Sequence, residues 1–518
     1  MRTLTATRVM ITVVSWAHLL SCPKEQDDTR EPADSAVETD TDTDTDTDAD
    51  TDTDTDTDAD TDADTDADTD ADADTDLGLD RASARLVGED TWDGVDLDVS
   101  SGGDVNSDGR MDLLLGARAS SRGGELGSGT VFVVLGPVSG LKDLSDADAI
   151  LTGDDRGGCA GTSVALAGDT NRDGYDDLLA SAPGENAYDG ETHLLFGPIT
   201  GTHDLSIAGA TLLGEPAGGG PYHFSGSAVA SAGDVDADGY SDILVGDQQY
   251  TPSSGAVYLV RGPVSGDVSL ADADLRIEGE SDDWAGNAVA SAGDTDGDGL
   301  PDILVGCLSA DVAAGRVLLV RSPAWGSVPA SEADASLRGK EAFDNVGNSV
   351  SSAGDMDGDG LDDLFVGGPG AWDERTGAAW VVSGLASGDQ AIDDAALARW
   401  VGTSPSGYFG EEVTFAGDVD GDGFPDVLIA APEMDSRTPG AGTVYLYLGP
   451  VAGTLGITDA DATVRGEKDD QLGDSMAGVG DMDGDGLDDV LLSGPGNDEG
   501  GEDAGAAWLF LGSTLVGR

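Results

Sequence analysis

The chain has 518 residues, with 78 glycines, only 5% aromatic residues, and a formal charge of −79 from 103 acidic against 24 basic side chains. Such a polyanion is repelled by nucleic acid and by anionic membrane surfaces, which excludes nucleic-acid binding as a function and makes cations the natural counterpart. High glycine with few aromatics favours many short strands and tight turns over helices, and three cysteines are too few for a disulfide framework.

In chain order, residues 1–21 read as an export signal. Arg2 and Arg8 give the positive start, Val9 to Leu20 is mostly apolar with Ser15 and His18 interrupting, and small Ser21 precedes Cys22. The stretch falls short of the ~20 apolar residues that cross a bilayer. Leu19-Leu20-Ser21-Cys22 resembles a bacterial lipobox, which implies a lipidated Cys22 anchored in a membrane, the outer membrane or cell surface being the expected place; a plain secretory signal is the alternative. Residues 22–79 are then a linker. From Asp40 to Asp76 every even position is Asp, nineteen in all, alternating with Thr or Ala. Nothing there buries apolar surface and like charges repel, so a disordered, extended spacer is expected, reaching at most ~180 Å.

Residues 80–518 repeat one unit seven times. The pattern D-x-[DN]-x-D-G-x-x-D begins at Asp104, Asp169, Asp234, Asp294, Asp355, Asp418 and Asp481, at spacings of 65, 65, 60, 61, 63 and 63 residues. Eight residues upstream stands Gly161, Gly226, Gly286, Gly347, Gly410 or Gly473, with Asp96 in the first copy. Downstream comes a short apolar run such as Asp426 to Ala430, then a variable loop, then strands such as Thr443 to Tyr447 and Ala210 to Gly214. Four strands per ~60 residues, in seven copies, predict an all-β seven-bladed β-propeller with four-stranded blades. The chain stops soon after the third strand of blade seven, Ala506 to Leu511, while Ala84-Arg85-Leu86-Val87-Gly88-Glu89 matches the fourth strands of other blades. Residues near 84–88 are therefore expected to complete blade seven and close the ring, removing free sheet edges. Cys159 and Cys307, about two repeats apart, are expected to be buried free thiols.

Together these features resemble FG-GAP repeats, the building unit of the integrin α N-terminal propeller that also occurs in bacterial surface proteins. Phe409-Gly410 and Ala431-Pro432 match the naming residues literally. The resemblance covers residues ~84–512; it implies a calcium-binding propeller and a role in adhesion.

In each nine-residue loop the first, third, fifth and ninth side chains can converge on one ion, and glycine at the sixth position permits the positive φ that folds the loop. The expected ligands are Asp104, Asn106, Asp108 and Asp112; Asp169, Asn171, Asp173 and Asp177; Asp234, Asp236, Asp238 and Asp242; Asp294, Asp296, Asp298 and Asp302; Asp355, Asp357, Asp359 and Asp363; Asp418, Asp420, Asp422 and Asp426; and Asp481, Asp483, Asp485 and Asp489. The seventh residue adds only its backbone carbonyl. An all-oxygen, flexible cage suits Ca²⁺ over Zn²⁺ or Mg²⁺. Ordinary Asp-Gly turns would not gather 26 carboxylates at ligand positions, since uncompensated packing of acids is costly. Up to seven structural calcium ions are expected, with the first two sites weakest because Asn106 and Asn171 each remove a charge.

No catalytic residues are expected. His193 falls in a strand, His203 in a loop, and His223 beside Tyr222 and Phe224 reads as packing; no G-x-S-x-G, phosphate loop or H-E-x-x-H occurs. The reading is a non-enzymatic binding or adhesion module for a surface protein or glycan. A passive cell-surface component and a secreted carbohydrate- or lipid-active enzyme are the alternatives. The integrin resemblance places ligand on the face opposite the calcium loops, where Tyr188, Tyr222, Tyr250, Trp284 and Trp372 are candidate anchors, Trp284 and Phe409 being favoured as filling between blades.

Overall fold

The computed structural model describes residues 76–88, 97–186, 189–216, 223–372, 375–405, 407–432, 440–501 and 503–517. Cys22 and the export signal, together with Asp96, Tyr188 and Tyr222, lie outside the described residues.

Seven sheets form the seven blades of a β-propeller. Blade one comprises Leu97–Gly103, Asp112–Ala117, Thr130–Val134 and Ala149–Thr152, all antiparallel. The second and third strands are buried on both faces, as in Asp112–Ala117 and Thr130–Val134. Continuous apolar runs are what a strand needs when neighbouring blades cover both its sides. Each hydrophobic cluster is accordingly shared by two adjacent blades: Leu178 and Ala180 of blade two pack with Leu114 and Val133 of blade one, and Phe409 and Tyr445 of blade six with Phe365 and Trp400 of blade five. Phe409 is fully buried, which bears out its role as inter-blade filling.

Ring closure follows the sequence expectation. Ala84–Val87 pairs antiparallel with Ala506–Phe510 as the fourth strand of blade seven, Leu86 opposite Ala507. Leu86 then packs with Leu491 and Leu509 of blade seven and Leu113 and Phe132 of blade one.

The four-stranded blade needs one correction: every sheet has a fifth, outermost strand. The connection between the third and fourth strands of one blade runs out to the rim and pairs in parallel with the fourth strand of the preceding blade. Gly201–Asp204 of blade two thus lies beside Ala149–Thr152 of blade one, and Gly140–Asp143 of blade one beside Ala84–Val87 of blade seven. His203 is therefore on an edge strand, not in a loop. The strap on blade six is Asp76–Gly78, from the end of the Asp run and ahead of the expected boundary at residue 80; Arg465 donates to Asp76 at 2.6 Å. Cys307 is a free buried thiol, as expected, and Cys159 is buried as well.

Candidate metal loops and the opposite face

The seven acidic loops join the first and second strands of their blades and share one hydrogen-bond pattern. The sixth residue's N–H donates to the first side chain at 2.7–3.1 Å, as from Gly109 to Asp104. The fifth N–H donates to the third side chain at 2.8–3.2 Å, as from Asp108 to Asn106. The seventh donates to the fifth at 2.9–3.1 Å, as from Arg110 to Asp108. These contacts turn the side chains at positions one, three and five towards the inside of the loop. The sixth glycines have φ of 82–91°. The fourth residue is left-handed as well, a requirement the spacing alone did not reveal. Ser107, Arg172 and Ala237 meet it at 56–59° in the first three blades, and glycine meets it in the other four.

The ninth aspartates occupy a different place. Asp112, Asp177, Asp242, Asp302, Asp363, Asp426 and Asp489 are at most 1% exposed. One oxygen accepts from the N–H of the loop's second residue at 2.8–3.1 Å. The other accepts from a backbone N–H just after the third strand at 2.8–3.2 Å, such as Gly136 for Asp112. The ninth Asp therefore ties the loop into its blade as well as facing it. Burial pushes Asp363 and Asp426 up to about 7 and Asp112, Asp177, Asp242 and Asp489 up to about 6; the backbone donors oppose this rise and the loop's other carboxylates add to it. Asp302 moves in the same direction, again mainly through burial.

The donor set fits a hard cation. Ligand atoms of Asp234, Asp236 and Asp242 lie within 4.8 Å of one another, as do those of Asp294, Asp296 and Asp298, of Asp355, Asp357 and Asp359, and of Asp418, Asp420 and Asp426. That spread matches opposite edges of one oxygen shell of radius about 2.4 Å. Asp355 Oδ1 is buried without a hydrogen-bond donor, which an ion within the loop would satisfy. Blade three departs from the pattern: Arg261 donates to Asp236 at 2.7 Å and to Asp274 at 2.8 Å. Counting carboxylates missed this competitor, which lies 25 residues away in sequence.

The opposite face carries the loops between second and third strands and those leading into the next blade, which meet in bridges such as Gly377 with Phe409. Trp372 there is 38% exposed. Tyr250 and Trp284 are only half-buried; the Tyr250 ring packs edge-on against His223 and Tyr258. His223 is buried with its Nδ1 3.5 Å from Asp247 Oδ2, consistent with packing. Val312 and Phe343, which the sequence did not single out, are 72% and 45% exposed on neighbouring loops.

The profile of the FG-GAP repeat matches residues 160–195 and 409–447, and that of the FG-GAP-like repeat matches residues 220–305. Mouse integrin alpha-IIb is 37% identical over 175 residues, 32% of this chain and 16% of that protein. Integrin alpha pat-2 of Caenorhabditis briggsae is 26% identical over 253 residues, 46% of this chain and 20% of that protein. The ring is an FG-GAP propeller of the integrin α N-terminal type. Rat phosphatidylinositol-glycan-specific phospholipase D is also similar, 24% identical over 413 residues, 68% of this chain and 45% of that enzyme. The chain thus spans less than half the length of each of these relatives. An FG-GAP propeller of this type supports a binding module.

Proposed function

We propose that the chain is an exported, calcium-stiffened recognition module that grips a surface protein or glycan and is tethered to a bacterial membrane through a lipid on Cys22. The observation that carries recognition is the surface formed by Val312, Phe343 and Trp372. Their three loops are laced together, Asn345 N–H donating to Ala313 at 3.0 Å and Gly370 N–H to Asp344 at 3.1 Å. All three side chains sit on backbone with φ of 65–76°. Left-handed backbone at a β-branched or aromatic residue carries a cost of order 1–3 kcal/mol and is a recurrent feature of binding sites. Arg399 and Arg375 lie 4.5 and 5.0 Å from the Trp372 and Phe343 rings, giving cations beside the apolar surface of an otherwise acidic ring.

Calcium at the Asp104, Asp169, Asp234, Asp294, Asp355, Asp418 and Asp481 loops would be structural. The pre-turned carboxylates would hold the ion, and the ion would supply the charge that lets the buried ninth Asp ionise. No step of chemistry is assigned to it. The similarity to a phospholipase D supports a second reading, a lipid- or glycan-active enzyme; the passive surface component is the third.

Arrays of polysaccharides and surface proteins, probed with the calcium-loaded chain, separate the readings. Saturable binding that Trp372→Ala or Val312→Asp weakens at least tenfold is expected. Turnover of a phospholipid or glycan would replace recognition with catalysis, and binding to nothing would leave the passive component.

A further inference from the structure

Outside the acidic loops, blade two carries a cluster of different chemistry. Glu191 and His193 alternate along its third strand, Glu191–Leu195, so their side chains share one face of the sheet. Glu185 reaches the same place from the loop after the second strand. Its carboxylate passes against Gly158 of the loop leading into blade two, where a Cβ would stand 2.7 Å from Glu185 Cγ and 3.0 Å from Oε1. Only glycine leaves that space. Glu185 and His193 are 4% and 6% exposed, and His193 Nε2 is 3.3 Å from Glu185 Oε2. Glu191 is half-buried and gives the cluster an opening to solvent.

A simple His–Glu pair would account for one contact and leave the rest unexplained. Glu185 Oε1 is buried without a hydrogen-bond partner. Ligand atoms of the three side chains lie within 4.8 Å of one another. Two ligands of one tetrahedral ion, each about 2.0–2.1 Å from it, stand about 3.3 Å apart, the separation found between Nε2 and Oε2.

We propose that Glu185, Glu191 and His193 form a zinc site, separate from the acidic loops and selective against calcium. An imidazole is a favoured zinc ligand and a poor one for calcium, which seeks six to eight oxygens. Three protein ligands leave a fourth position facing solvent through the Glu191 side, so water or a donor atom from a bound partner completes the shell.

The test uses the full chain dialysed against zinc in excess calcium, followed by metal analysis, with cobalt as a spectroscopic substitute. The expected result is one zinc per chain that calcium does not displace, together with the strong visible bands of tetrahedral cobalt. His193→Ala and Glu185→Gln should abolish both signals, and Glu191→Gln should weaken zinc binding at least tenfold while calcium content stays unchanged. Should the buried variants misfold, half-exposed Glu191 still decides the matter. Zinc that calcium displaces, zinc retained equally by Glu191→Gln or His193→Ala, or no zinc at all would overturn the proposal.

Discussion

The carboxylate of Asp176 in blade two accepts the backbone N–H of Asp104 in blade one at 2.8 Å, and the N–H of Asp176 donates back to the Asp104 carbonyl at 3.4 Å. Asp362 grips Asp294 and Asp488 grips Asp418 in the same way, each through an N–H···O contact of 2.8 Å. The eighth loop residue thus joins the acidic loops of blades one and two, four and five, and six and seven. Asp176→Ala removes an ionised acceptor and should cost about 1–3 kcal/mol. The expected outcome is a lower melting temperature in excess calcium, with the metal content unaltered; an unchanged melt would show that the contact does not hold the blades.

Ala237 occupies the left-handed fourth position of its loop, with φ of 56°, where four other blades have glycine. Its side chain is exposed, so nothing is lost by removing it. A left-handed residue with a Cβ costs roughly 1–2 kcal/mol, part of which glycine returns as greater freedom of the unfolded chain. Ala237→Gly should raise the melting temperature, whereas Gly239→Ala in the same loop should lower it. Calorimetry of the two variants checks both signs.

Asp98 links three blades near the axis, accepting from Val164 N–H at 2.7 Å and from Ser475 Oγ at 2.9 Å. Burial raises it from 3.8 to about 6 against the pull of those donors. A carboxyl whose folded value lies above its unfolded one contributes stability that is complete below about pH 4 and is lost as pH rises through about 6. Asp98→Asn does not titrate. Its melting temperature relative to wild type should therefore increase between pH 4 and pH 7, and a constant difference across that range would contradict the assignment.

If Cys22 carries the lipid, Cys22→Ala should release the chain from membranes into the soluble fraction. Mass spectrometry of the mature N-terminus should show an acylated cysteine in the wild type.

Much of this was legible because it is local. Gly410 and Asp418 stand a fixed eight residues apart in one strand and its turn, and the repetition of that unit predicted both the ring and its closure by Leu86. What escaped depends on residues far apart in sequence. Gly201–Asp204 has no apolar alternation and becomes a strand only because Ala149–Thr152 offers it an edge. Arg261 reaches Asp236 across the blade, and Glu185 meets His193 only after the chain doubles back. Val312 looks like a core residue until its left-handed backbone turns it outward.

The most direct test of the account is the thermal unfolding of the full chain with saturating calcium and with excess chelator. Each site at a calcium concentration a hundredfold above its Kd contributes about 2.7 kcal/mol, so several sites together should move the melting temperature by more than about 10 °C. The account predicts that large drop, with protease sensitivity appearing in the blades and calcium restoring both. Superimposable melting curves with and without chelator would contradict it.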